Sequence, residues 1–181
     1  WRALDQDPSV MPQSWLIRNP TKTMSWLGGL FTLKPGIDGI AISKNDQFLV
    51  YGAMAHDTLF SVPTAALTRA EAGQAALQVK ALGRKPLNDG LSMDKNDNIF
   101  ITDVEHGSVM KMTPAGLLST VVQDVKRLRW ADALSFGPDG WLYVADSAIP
   151  DQMLRSKAHM RAQAPYRIFR FKPGTEGVPG Q

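Results

Sequence analysis

Asp38-Gly-Ile-Ala-Ile-Ser-Lys-Asn-Asp-Gln-Phe-Leu-Val-Tyr51 returns as Asp89-Gly-Leu-Ser-Met-Asp-Lys-Asn-Asp-Asn-Ile-Phe-Ile-Thr102, and again as Asp132-Ala-Leu-Ser-Phe-Gly-Pro-Asp-Gly-Trp-Leu-Tyr-Val-Ala145. The three stretches align without a gap. Each opens on an aspartate, alternates apolar with small residues, turns, and re-enters an apolar run. The aspartates stand 51 and 43 residues apart, spacings at which internal repetition signals a solenoid, a propeller or an array.

Within each repeat the apolar pairs Ile40/Ile42, Leu91/Met93 and Leu134/Phe136 recur at period two, as in a strand with one face buried. The turns that follow are Lys44-Asn45-Asp46, Lys95-Asn96-Asp97 and Pro138-Asp139-Gly140. Asn, Asp and Gly tolerate the positive φ that a tight hairpin requires. Second strands are predicted at Phe48–Tyr51, Ile99–Thr102 and Leu142–Val144, and third strands at Thr58–Val62, Ser108–Met112 and Arg167–Phe171. A fourth is legible at Leu118–Gln123 and at Gln78–Leu82. Four antiparallel strands per repeat are the blades of a β-propeller, with repeats beginning near residues 37, 88 and 131. Thr64–Ala76 and Asp151–Ala164 are helix-prone, with Thr64 a candidate N-cap. A βαβ parallel sheet would accommodate them, but the tight turns force antiparallel hairpins. The fold class is therefore all-β, a propeller with short helical inserts.

Composition narrows the partners. At 181 residues and 44% apolar content the chain suffices for one domain with a buried core. The net charge of +3 is spread out, apart from Lys126-Arg127-Leu128-Arg129 and Arg155–Arg161, so nucleic acid is not expected as a partner. No apolar run approaches the roughly 20 residues that span a bilayer, and no membrane partner is expected. The absence of cysteine excludes disulfides, thiolate metal sites and a cysteine nucleophile. Neither a G-x-S-x-G elbow, an H-E-x-x-H pair, a Walker loop nor a dinucleotide fingerprint occurs.

Three blades do not close a ring, and an open set bares strand edges. Arg2-Ala-Leu-Asp5 reads as the tail of a strand, and Arg167–Phe171 as a third strand followed by a Gly/Pro tail with no fourth. The expectation is that residues 1–181 form the C-terminal half of a larger propeller domain, or that two copies pair as a homodimer to complete the ring.

Several strings in order carry a family resemblance: Ile37-Asp-Gly-Ile-Ala-Ile-Ser43, Leu59-Phe-Ser-Val-Pro-Thr-Ala-Ala-Leu67, Lys85-Pro-Leu-Asn-Asp-Gly-Leu91, Ile101-Thr-Asp-Val-Glu-His-Gly107, and the run from Leu128 through Trp130 and Asp132 to Ser147. With Ala164-Pro-Tyr-Arg-Ile-Phe-Arg-Phe171 they resemble bacterial members of the major royal jelly protein/yellow family, from about Trp1 to Phe171. The resemblance implies a six-bladed propeller, secreted or periplasmic, distantly related to the gluconolactonase and regucalcin propellers. It implies a small-molecule ligand, and chemistry of the gluconolactonase-like hydrolase or dopachrome-tautomerase-like isomerase type. The alternatives are a non-catalytic propeller that binds a small aromatic or amine, and an inactive fragment that self-associates. In gluconolactonase-like relatives an Asn and an Asp at equivalent strand starts, with a Glu, hold a divalent cation. Asp89 matches that Asp, and Asp38 stands where the Asn would be, so the resemblance makes Asp38 and Asp89 candidate ligands for Ca²⁺ or another divalent cation. Hard oxygen donors suit such ions.

Asp38, Asp89 and Asp132 start the innermost strands and so fall at the mouth of a propeller's channel. They are candidate ligand-binding residues, against the plainer role of bonding the local backbone. If they crowd together without a cation, at least one should titrate high. Asp103 and Asp146 end the second strands, aligned with Gly52, and join the candidate ligand-binding set on the same face. Glu105 and His106 form the most chemistry-capable pair, a carboxylate beside an imidazole, and are the candidate catalytic residues. Trp130, two residues before Asp132, is the candidate aromatic wall.

Overall fold

Period-two alternation produces the hairpins that the repeats predict. The computed structural model describes residues 4–69 and 73–178. Before the repeats, two short ladders pair β1 (Arg18–Asn19) with β2 (Lys22–Thr23) and β3 (Ser25–Trp26) with β4 (Phe31–Thr32). The first repeat is an antiparallel sheet of β5 (Ile37–Ile42), β6 (Phe48–Ala53), β7 (Thr58–Pro63) and β8 (Lys80–Arg84). The second holds β9 (Leu91–Met93), β10 (Ile99–Asp103), β11 (Ser108–Met112) and β12 (Leu118–Gln123) in the same order. In the third, β13 (Ala131–Phe136), β14 (Leu142–Asp146) and β15 (Arg167–Phe171) form a sheet of three among the described residues.

Each hairpin turns where it was expected to. Asp46, Asp97 and Gly140 have φ of 55°, 58° and 74°, and their amides close the turn on Ser43, Asp94 and Gly137 carbonyls. Asp94 is fully buried and accepts from the Asn96 and Asn98 amides and the Asn98 side chain, which braces the second turn.

The gapless alignment nevertheless conceals a one-residue shift. Ile40 pairs with Tyr51, whereas its counterparts Leu91 and Leu134 pair with Ile101 and Val144. The first hairpin carries one residue more, so Ala53, not Gly52, occupies the register of Asp103 and Asp146.

Helix is shorter than the composition suggested. In the Thr64–Ala76 region α1 covers Thr64–Arg69, and Ala76–Gln78 is a 3₁₀ turn; residues 70–72 lie outside the described residues. In the Asp151–Ala164 region α2 covers Lys157–Ala162, capped by the Ser156 hydroxyl at the His159 amide. The fourth strand read at Gln78–Leu82 lies at Lys80–Arg84. The strand tail read at Arg2–Asp5 falls partly on residues 1–3, outside the described residues, and Asp5 is in a turn. No helix among the described residues is long and apolar enough to cross a membrane.

The blades pack face to face through aliphatic layers. Ala41, Val50 and Leu59 meet Leu91, Met93, Ile99 and Ile101 between the first two blades. Phe100 and Val109 meet Leu134, Leu142 and Val144 between the second and third. Burial of this kind contributes roughly 1.5–3 kcal/mol per large aliphatic side chain. At the ends of the arc the faces are bare: Ile168 is 74% exposed, although the aligned Leu59 and Val109 are fully buried. Along β5, Ile37, Ile40 and Ile42 are likewise exposed.

The N-terminal segment lies across the loop ends of all three blades. Ile17 and Met24, both fully buried, pack on Met54 and Ala55 of the first blade, Leu87 and Val104 of the second, and Trp130 at the entry to the third. Two hydrogen bonds anchor this strap, one from the Gln13 amide to the Ala55 carbonyl and one from the Asn19 side-chain Nδ2 to the Arg129 carbonyl.

Candidate functional site

The inner strands of adjacent blades come close where they begin, Gly39 against the Asp89 carbonyl and Gly90 against that of Asp132. Asp89 enters β9 with its own amide and that of Gly90 both donating to Thr102 Oγ1 at 3.0 Å. That hydroxyl, on β10, fixes the backbone and leaves the Asp89 carboxylate to be placed by another group. The indole N–H of Trp130 donates to Asp89 Oδ2 at 2.7 Å.

Trp130 is held in turn by Asp146. Its amide donates to Asp146 Oδ1 at 2.9 Å, and Arg129 Nε donates to Asp146 Oδ2 at 2.9 Å. Asp146 is thus a buried anchor for the segment that leads into β13. The Trp130 ring is fully buried, packed among Ile17, Met24, Leu87 and Val104. It offers no open face to a ligand, contrary to the expected aromatic wall, and reaches the site through its N–H.

Three carboxylates share this region. Burial pushes Asp89 up to about 7, with the Trp130 hydrogen bond opposing and the negative charges of Asp132 and Asp38 adding to the rise. Burial also raises Asp38, with Asp132 adding to it. The three strand-start aspartates therefore lie close enough to repel one another. A carboxyl titrating near neutrality can hold or release a proton under physiological conditions, which makes Asp89 the most capable group at this end of the blades.

The second pair of candidates diverges. His106 Nδ1 lies 2.9 Å from Asp103 Oδ2, and Asp103 also accepts from the Glu105 and His106 amides and from Ser108 Oγ. Asp103 is buried and braces this loop, while the His106 ring is largely exposed. With Nδ1–H turned to the carboxylate, Nε2 is the nitrogen left to act on a solute. Glu105 turns instead to the strap, where its Oε1 accepts from the Arg18 amide at 2.7 Å. It lines a cavity of about 340 Å³ with Asn19, Lys126, Arg129 and Asp151.

Two residues were missed in the sequence. Lys85 is buried, and its ammonium donates to the carbonyls of Ala53, His56 and Pro86 at 2.9, 2.5 and 3.2 Å. Burial pulls it down to about 7, opposed by Asp57. It ties the exit of the first blade to the connector that delivers Asp89. Asn88 is fully buried, with Nδ2 donating to the Asp89 carbonyl at 3.1 Å and Oδ1 without a partner. The available signal was position: a polar residue directly before the repeat aspartate, opposite Gly39 and Gly52. Nearby, His56 is buried, and its Nδ1 accepts from the Thr58 amide.

Asp38 and Asp89 supply oxygens of the hardness that Ca²⁺ or Mg²⁺ prefers, and their mutual repulsion is what a cation would relieve. Among the described residues no three acidic or histidine side chains converge closely enough to hold a metal ion. The donor type fits, and the ligand set on this chain is partial.

Comparison with known proteins places these observations. The family described as major royal jelly protein matches residues 14–162. No curated protein matches the sequence. Among solved structures, a regucalcin from Agrobacterium tumefaciens, described as a calcium-binding protein, is 18% identical with a TM-score of 0.55, over 86% of this chain and 52% of its own. A luciferin-regenerating enzyme is 16% identical with a TM-score of 0.58, over 90% of this chain and 63% of its own. A gluconolactonase from Xanthomonas campestris is 12% identical with a TM-score of 0.57, over 94% of this chain and 57% of its own. Identities this low establish the β-propeller fold alone. The chain spans between about half and under two thirds of these proteins.

Proposed function

The chain belongs to the major royal jelly protein family, and from that footing we propose that it acts on a small cyclic or aromatic molecule at the blade ends where Asp89 sits. The reaction class is lactone hydrolysis or tautomerisation. The observation that carries this reading is a carboxyl pushed to about 7 beside two further carboxylates and gripped by an indole N–H. Such a group exchanges a proton with substrate near neutral pH. Asp38 and Asp132 flank it as ligand-binding residues. His106, its Nδ1 set by Asp103, and Glu105 are the secondary proton-transfer candidates.

Asp89 and Asp38 would hold a divalent cation such as Ca²⁺, in keeping with the calcium-binding regucalcin among the structural relatives. When bound, the cation supplies polarisation of a lactone carbonyl. The family resemblance supports a secreted or periplasmic location. The exposed isoleucines of β5 favour pairing with further blades, from a second copy or a longer chain.

The test is hydrolysis of glucono-δ-lactone and conversion of dopachrome, each with Ca²⁺ or EDTA, by the chain and by Asp89→Asn. Turnover of either substrate that Asp89→Asn abolishes supports the reading. Absence of turnover, with saturable binding of dopamine that Asp89→Asn removes, supports the second reading, a non-catalytic propeller for small amines. The clustered carboxylates favour that reading because a protonated amine would neutralise them. Indifference of both assays to Asp89→Asn would reject both.

A further inference from the structure

The two interfaces between blades are filled differently at their turn ends. In the second blade Ser92 pairs with Phe100, whose ring stands edge-on to Phe136 of the third, centroids 5.5 Å apart. In the first blade the corresponding ladder pair is Ala41 with Val50, and Met93 holds the repeat position of Phe136. Two aromatic rings at one interface are thus a valine and a methionine at the other. Where the rings are missing, a cavity of about 360 Å³ opens between the turns that follow β5 and β9. Phe48, Val50, Leu82, Met93, Ile99 and Pro114 form its apolar walls. Both walls come from blades whose four strands are all present. Asp38 and Asp89 lie at the opposite end of β5 and β9, so this cavity is separate from the carboxylate site.

One acidic side chain joins this lining. Asp97, in the turn after β9, has its Oδ1 closed off from solvent with no hydrogen-bond partner. Its Oδ2 lies 3.5 Å from Lys44 in the turn after β5, and an ion pair so long and so exposed contributes little. Lys80 also lines the cavity. The region thus holds one carboxylate with two ammonium groups. A ligand ammonium gains little in such surroundings, and a ligand carboxylate brings Asp97 no donor.

We infer that this inter-blade cavity binds an uncharged aromatic alcohol, its ring seated between Val50 and Met93 and its hydroxyl donating to Asp97. The ring supplies what Phe100 and Phe136 supply at the neighbouring interface, and the Met93 thioether adapts to its edge. Rotation of a carboxylate about χ2 is soft, so Asp97 can turn an oxygen toward the hydroxyl. Apolar walls with few polar groups, in a volume of this order, are what small-ligand pockets share.

The probe is para-ethylphenol, titrated into the 181-residue chain with isotope-labelled methionine methyl groups and followed by NMR. The Met93 resonance is assigned through Met93→Leu. Saturable movement of the Met93 methyl is expected, and ethylbenzene, para-ethylbenzoate and para-ethylbenzylamine should each bind several-fold more weakly. Asp97→Asn suits the φ of 58° at this turn, and should weaken para-ethylphenol several-fold while leaving ethylbenzene unchanged. Val50→Phe, which restores the ring found at the next interface, should abolish binding of both. The ligand comparisons use the parent chain, so a variant that fails to fold cannot decide the outcome. A Met93 methyl that does not move overturns the proposal, as does any of the three other ligands binding as tightly as para-ethylphenol. A folded Val50→Phe chain that binds like the parent overturns it too.

Discussion

Trp130 Nε1 and Asp89 Oδ2 lie 2.7 Å apart, a bond that spans from the entry of the third blade to the inner strand of the second. It joins an indole buried under the strap to a carboxyl whose titration burial displaces upward. Removing the donor should therefore act on Asp89 before it acts on the fold. In Trp130→Phe the ring volume is largely kept and the charge-assisted bond is lost, so Asp89 should titrate still higher than about 7. Carboxyl-carbon NMR titration of the two proteins checks this, and an unchanged or lower value would show that the bond does not set the carboxyl.

The same displacement makes stability depend on pH. The folded value of Asp89, about 7, lies above its unfolded value of 3.8. Between those two values the folded chain holds a proton that the unfolded chain has released, so stability falls as pH rises from 4 to 7. Above 7 both forms are ionised and the loss is complete. Melting temperatures of the chain and of Asp89→Asn should therefore draw apart over this window, with the variant gaining at neutral pH. Parallel curves across it would contradict the raised carboxyl. If a cation binds the ionised form, Ca²⁺ should restore the parent chain at pH 8 and leave Asp89→Asn unmoved.

Lys85 tests how the site is supported. Lys85→Met keeps the stem that packs against Gly52 but removes the donor to the His56 and Pro86 carbonyls and one of the two donors to that of Ala53. A loss of about 3 kcal/mol is expected, since an unsatisfied buried polar group costs roughly 1–3 kcal/mol. Urea denaturation reads it as a lower midpoint at unchanged slope. A midpoint within experimental scatter of the parent would mean that water replaces the ammonium.

The strands were legible because they follow side-chain period and turn chemistry. Ser108–Met112, Leu118–Gln123 and Arg167–Phe171 lie as read. What escaped was anything set by tertiary contact. The extra residue in the first hairpin leaves no mark in an alignment whose turn residues coincide, and pairing alone reveals it. The alanine-rich run after Thr64 has the propensity for a longer helix than the one that formed, because local preference is a weak prior beside packing. At the site, the strand-start aspartates were legible as a repeat, and Asp89 and Asp38 were named. Lys85 was not, because nothing local marks a lysine whose acceptors include the end of β6 and the loop after it, some 30 residues away in sequence. Trp130 was named for the wrong property: sequence shows an aromatic near an aspartate, but not whether its face or its N–H is turned to the site.

The close step between blades gives a prediction without any ligand. A Cβ at Gly39 would stand 2.7 Å from the Asp89 carbonyl oxygen, and one at Gly90 would stand 2.3 Å from that of Asp132. Both contacts are with backbone, so the neighbouring blade itself must move. Gly90→Ala should therefore cost about 2 kcal/mol or more, within the range for overpacked interiors, and should displace Asp89 from Trp130. The expected signature is a lowered melting temperature together with a changed Asp89 titration. Position 133 provides the control, because it holds the same register in β13, already carries a Cβ, and is exposed. Ala133→Gly should leave the Asp89 titration where it was. If Gly90→Ala is as stable as the parent, the aspartates are not positioned by this close step, and the third blade's alanine has no bearing on how a further blade could pack.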